Sequence, residues 1–161
     1  MANATFFREF NVDERQVFFG DASVFDQDLI RIGNSLGSVD YIGDFTFGQG
    51  FDITGNLTEI RQFFGGEADF TITDVDARFE TFIAEVSSDD FKGAAEIVFD
   101  NDDRFFASGA DDLLDGFRGD DLIVSRGGAD TLRGGLGQPR ACQCDVAGAD
   151  ALHIGIQRQR G

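Results

Sequence analysis

Four aspartates, Asp103, Asp112, Asp121 and Asp130, stand nine residues apart, and this spacing constrains the chain more than any other feature. Two residues after each comes an apolar side chain: Phe105, Leu114, Ile123 and Leu132. Two residues before each comes a small or turn-forming residue: Asn101, Ala110, Gly119 and Gly128. The pattern is clearest in Gly109-Ala110-Asp111-Asp112-Leu113-Leu114, Arg118-Gly119-Asp120-Asp121-Leu122-Ile123 and Gly127-Gly128-Ala129-Asp130-Thr131-Leu132, after which Gly134-Gly135-Leu136-Gly137 opens a further copy. An acidic, glycine-rich linker would not keep an apolar residue in phase through every copy.

The stretch 98–138 resembles the hemolysin-type calcium-binding repeat of RTX proteins, G-G-x-G-x-D-x-U-x. The resemblance implies that two nonapeptides complete one coil of a flattened parallel β-roll, which puts same-edge turns 18 residues apart. Coils would then be separated by roughly one strand spacing, ~4.8 Å. It further implies calcium (Ca2+) between successive coils, held by an aspartate from each and by turn carbonyls at ~2.3–2.6 Å. Carried onto this chain, Asp112 pairs with Asp130 on one edge and Asp103 with Asp121 on the other. Gly109, Gly119, Gly127 and Gly128 shape the turns, glycine being free to adopt positive φ. Two carboxylates at that spacing repel by ~3–4 kcal/mol at an effective dielectric of ~20, a term that calcium reverses. The segment is therefore expected to resist folding without the ion.

The departures rank the sites. Asp103 follows Asn101-Asp102 without a glycine pair, Ala110 replaces a glycine, and Ser125-Arg126 replaces the opening Gly-Gly of its copy. Nine residues after Asp130 stands Pro139, which offers no side-chain ligand. Asp112–Asp130 is thus expected to be the better site and Asp103–Asp121 the weaker. Arg118-Gly119-Asp120 arises from the repeat consensus and carries no separate meaning.

Charge agrees with a cation partner. The net charge is −17, with 19 acids against 6 bases in residues 1–97, 9 against 4 in 98–138, and 2 against 3 in 139–161. A field of this sign disfavours nucleic acid and anionic lipid and attracts divalent cations. No stretch approaches the ~20 apolar residues of a membrane span, and the first residues lack the basic and apolar segments of a Sec signal. The resemblance implies secretion by the type I route and an extracellular protein. Cys142 and Cys144 are too few for structural zinc and too close for a relaxed disulfide.

The first 97 residues read as an α+β domain, an antiparallel meander plus helices. All 19 Phe lie at or before Phe117. Val39, Tyr41, Phe45 and Phe47 alternate like a half-buried strand, with turns at Gly48-Gln49-Gly50 and Gly65-Gly66. Phe51, Ile53 and Leu57 continue a second strand and 70–73 a third. Phe79, Phe82, Ile83 and Val86 fall on one helix face, and Ser88 followed by Asp89 and Asp90 predicts a second helix start with Phe91, Ala95 and Val98 inward. Phe6, Phe7, Phe10, Val17, Phe18 and Phe19 fall in early strands. With no metal in its core, this domain is expected to stay folded in chelator, a protein or glycan being one kind of partner for it.

Catalysis has one motif to consider. Gly33-Asn34-Ser35-Leu36-Gly37 matches the G-x-S-x-G nucleophile elbow, which must open a helix, whereas 39–47 alternates like a strand. The single histidine, His153, lies in the tail. The chain is therefore read as a non-enzyme, with a fragment of an RTX-bearing hydrolase, or an adhesin or scaffold, as the alternatives. The tail 139–161 loses the register, Asp150 being 20 residues from Asp130, and reads as truncated or frame-altered.

Overall fold

A computed structural model describes residues 1–12, 21–49, 52–136, 140–143 and 153–155. Among the described residues the protein is β-rich, with two helices. Strands β2 (Asp21–Phe25), β3 (Leu29–Gly33), β4 (Gly37–Phe47), β5 (Ile53–Phe64) and β6 (Glu67–Thr73) follow one another as antiparallel neighbours. The meander thus has two more strands than the alternation at 39–73 predicted. Gly65 and Gly66, at φ +61° and +85°, make the β5–β6 turn.

Strand β1 (Asn3–Phe6) continues this sheet beside β6 and is antiparallel to it. Its other edge pairs in parallel with β8 (Arg104–Phe106), which pairs with β10 (Leu122–Ser125), which pairs with β12 (Arg140–Gln143). A second parallel sheet runs β9 (Leu113–Asp115), β11 (Thr131–Arg133) and β13 (His153–Gly155). The sequence therefore alternates between two parallel ladders. Arg104 aligns with Leu122 and Leu113 with Thr131, each 18 residues on. Two-residue β7 (Ala77–Arg78) pairs with β5.

Helices α1 (Phe79–Ser87) and α2 (Phe91–Val98) precede the repeats. Phe79, Phe82 and Val86 are buried, with Phe79 and Phe82 packed edge-on to Tyr41 at 5.7 and 5.6 Å between ring centroids. The second helix begins later than expected. Ser88 caps the end of α1, Asp89 takes φ +67°, and the Asp90 carboxylate accepts from Gly93 N at 2.8 Å. A carboxylate satisfying an otherwise orphaned amide in the first turn makes Asp90 the N-cap. The helix then turns Ala94 and Val98 inward and leaves Phe91 and Ala95 half-buried.

The core is continuous across the two regions. Phe105, Leu114, Ile123 and Leu132 are buried in one cluster with Phe6 of β1, Leu57 of β5 and Phe79 of α1. Phe99 packs on Phe105, and stacks on Phe117 at 6.2 Å with planes 6° apart. Ser35 sits exposed in the β3–β4 hairpin, where Asn34 N donates to Gly37 O at 2.9 Å, so no helix follows it. Among the described residues no helix is long and apolar enough to cross a membrane. Val17, Phe18, Phe19, Pro139, Cys144 and Asp150 lie outside the described residues.

Candidate metal site

Each repeat aspartate stands just before a short strand: Asp103 before β8, Asp112 before β9, Asp121 before β10 and Asp130 before β11. All four are buried, at 1, 2, 0 and 2% exposure in that order. Aspartate is rarely buried unless paired, so four in one region demand partners.

Half of each carboxylate finds one in the same way. Asp121 Oδ1 accepts from the backbone N of Asp103, and Asp130 Oδ1 from that of Asp112, both at 2.9 Å. For these two the donor is the amide 18 residues earlier in the same ladder. No repeat precedes the first two aspartates, and the N-terminus takes its place. Asp103 accepts from Ala2 N, and Asp112 Oδ1 from Phe10 N at 2.6 Å. Strand β1 stacks in register on β8 for this reason, and Asn11 bridges to Leu113.

The other oxygen separates the two edges. Asp112 Oδ2 accepts from Ser108 N at 2.8 Å and from Ser108 Oγ at 2.9 Å, and Asp130 Oδ2 accepts from Ser125 Oγ. Asp103 Oδ2 and Asp121 Oδ2 are buried with no hydrogen-bond partner. The expected ranking took Asp112–Asp130 as the better ion site from its glycine turns; unmet acceptor capacity lies instead with Asp103–Asp121.

Electrostatics follow burial. Loss of water pushes the Asp121 carboxyl up to about 7, with the nearby carboxylates of Asp103, Asp102 and Asp120 adding to the shift against the Asp103 amide. Burial also raises Asp103 and Asp112, opposed by the amides of Ala2 and Phe10 respectively. A desolvated carboxylate whose second oxygen has no donor, as in Asp103 and Asp121, relaxes by binding a proton or a cation.

The turn glycines fall into two kinds. Gly119 and Gly128 have φ of +120° and +80°, and a Cβ on either would land on the carbonyl oxygen 18 residues earlier, that of Asn101 or Ala110. These two let neighbouring turns stack. Gly109 faces open space, and a Cβ on Gly127 would meet the Gly109 oxygen at an ordinary 3.5 Å. Gly116 matters although the consensus reading did not single it out. A Cβ there would lie 2.6 Å from Asp121 Oδ2 and 3.3 Å from the Gly134 carbonyl oxygen. With no side chain there, the Gly116 backbone comes close to Asp121 Oδ2 and the Gly134 carbonyl oxygen.

A second set of carboxylates works at the surface. Asp102 Oδ1 accepts from Asp120 N at 2.9 Å and Asp111 Oδ1 from Ala129 N at 2.7 Å, each 18 residues later. In the doublets Asp102-Asp103 and Asp111-Asp112, one carboxylate therefore reaches back along the ladder and the other reaches forward.

Sequence reasoning identified the four aspartates and missed Ser108, Ser125, Gly116 and the amides of Ala2 and Phe10. Among the described residues no three His, Cys, Asp or Glu side chains converge as a metal-holding group, so a cation here would rest on two carboxylates completed by backbone oxygens. Comparison of the chain with protein-family models, with curated proteins and with solved structures gave no match.

Proposed function

We propose that residues 98–138 form a short parallel β-roll that binds calcium, and that the ion drives its folding outside the cell after type I secretion. The observation that carries this reading is the pair of buried oxygens, Asp103 Oδ2 and Asp121 Oδ2, left without a donor. A buried charged acceptor with no partner is costly, and hard oxygen donors suit calcium, which takes 6–8 of them at ~2.3–2.6 Å. Asp103 and Asp121 would hold the ion, with turn carbonyls such as that of Gly134 completing its shell. Its charge would offset the repulsion between stacked carboxylates. The 18-residue register of both ladders and the stacking glycines Gly119 and Gly128 support the roll. The chain acts in this reading as a folding and binding module rather than an enzyme.

Millimolar calcium should raise the melting temperature and the β signal in circular dichroism, with an affinity of ~10⁻⁴–10⁻³ M, as for extracellular calcium modules. At ten times Kd one site adds about 1.4 kcal/mol. Calcium that leaves both observables where magnesium leaves them overturns the reading.

The amide bonds favour one competing account. Every repeat aspartate already staples a neighbouring backbone N–H, so the ladder would hold itself together without metal. On that account the calcium titration is silent while the melting temperature in chelator is already high.

A further inference from the structure

We infer that the two edges of the repeat region are chemically unequal, with serines standing in for the ion at Asp112 and Asp130, so that calcium enters only beside Asp103 and Asp121. This rests on the calcium reading and narrows it.

The four carboxylates are matched at Oδ1, each meeting one backbone N–H. They part at Oδ2, and the sequence immediately before each aspartate decides how. Five residues before Asp121 stands Gly116, and five before Asp130 stands Ser125. The same backbone position thus carries no side chain on one edge and a hydroxyl donor to the carboxylate on the other. Four residues before Asp112 stands Ser108, while Phe117 holds that position before Asp121 and stacks on Phe99 instead.

Ser108 fits its role closely. Its N and Oγ both donate to Asp112 Oδ2, and its Oγ in turn accepts from Ala110 N at 3.0 Å. With Phe10 N on Oδ1, three donors converge on Asp112. A backbone N–H aimed at a carboxylate cannot turn round to become a ligand, and its positive end opposes a cation approaching the same oxygen. Beside Asp121 the surroundings are reversed. The bare backbone of Gly116 lies close to Asp121 Oδ2 and the Gly134 carbonyl oxygen, both acceptors. Buried carboxylate oxygens with no hydrogen-bond donor, Asp121 Oδ2 lying beside a backbone carbonyl oxygen, offer hard ligands to a cation.

Isothermal titration of the full chain with calcium chloride, magnesium as control, decides the matter. One ion per chain is expected. Asp121→Asn should abolish uptake, and Asp130→Asn should leave Kd within about twofold. Amide resonances of the unaltered chain give a readout that needs no variant to fold. Calcium should move Asp103, Gly116 and Asp121 most and Ser108 and Ser125 least. Equal losses in Asp121→Asn and Asp130→Asn, or largest shifts at Ser108 and Ser125, overturn the inequality and leave calcium binding standing. No uptake by the unaltered chain removes both.

Discussion

Strands β4 and β5 pair over eleven residues on one of them, and their register is guarded by what a slip would expose. Moving β4 by one residue would turn Val39, Tyr41 and Phe45 from the core toward water. Strands β8 and β10 pair over three positions, and each sends one fully buried apolar residue inward, Phe105 and Ile123. So short a ladder has little alternation to lose. Its register is set at the turn, where the Asp121 carboxylate finds the Asp103 amide and would miss it after any slip. Apolar alternation needs no charge. Carboxylate stapling must desolvate one at every turn, and burial raises the Asp103, Asp112 and Asp121 carboxyls.

The largest effect tests the apolar side of this contrast. Phe79 is almost fully buried against Tyr41 and Phe45, at 5.7 and 4.8 Å between ring centroids. Phe79→Ala should cost about 3–5 kcal/mol, the usual range for a buried phenylalanine, and the loss should be equal in chelator and in calcium. Urea melts under both conditions measure it; a loss that calcium halves would mean that the two halves do not differ as described.

Stacking glycines come next. Gly128→Ala forces a Cβ onto the Ala110 carbonyl at a φ of +80°, whereas Gly109→Ala adds a methyl group in open space. The first should cost about 2–4 kcal/mol from the left-handed backbone and the clash together, and the second within about 0.5 kcal/mol. Thermal melts of the two variants suffice, and near-equal losses would show that turns do not stack where these glycines put them.

The buried acid supplies the third. Asp121, raised to about 7 by burial, binds its proton more tightly folded than unfolded. Its contribution to stability is therefore complete below about pH 4, the unfolded value, and is lost as pH rises through about 7. At the start of α1, Glu80 is lowered by its hydrogen bond from Arg78, so its small contribution is present at neutral pH and lost in acid. In chelator, the melting temperature should fall between pH 5 and pH 8, and calcium should remove that fall. Asp121→Asn in chelator at pH 8 should stabilise by about 1–3 kcal/mol, the cost of an unsatisfied buried group. A flat profile in chelator from pH 5 to 8 contradicts this.

What the sequence made legible follows from the same contrast. A repeat writes its contacts at a fixed spacing, so Asp103, Asp112, Asp121, Asp130 and the apolar residues two positions on could be read directly. Alternation located β4, β5 and β6 for a similar reason. Ser125 left a fainter mark as a departure from glycine, interpretable only once its hydroxyl was seen on Oδ2, and Ser108 was not singled out. The stapling of Ala2 and Phe10 to Asp103 and Asp112 left none, because partners 101 and 102 residues apart produce no local pattern. The second helix start shifted from Ser88 to Asp90 because a cap is decided by which carboxylate reaches an amide, and Ser88, Asp89 and Asp90 all offered one an oxygen.

The smallest effect sharpens the comparison within the repeat region itself. Asp102 and Asp111 staple the next turn as their neighbours Asp103 and Asp112 staple the previous one, with bonds of similar length, 2.9 and 2.7 Å, but at the surface. Water competes for an exposed amide and carboxylate, so removing the carboxylate exchanges one partner for another. No desolvated group is stranded. Asp102→Ala and Asp111→Ala should therefore each lower the melting temperature by only about 1–3 °C, with no change in calcium affinity beyond a loss of long-range attraction that added salt removes. If either variant proves as damaging as Gly128→Ala, register in these short ladders is held by the surface carboxylates, and the buried ones serve the ion alone.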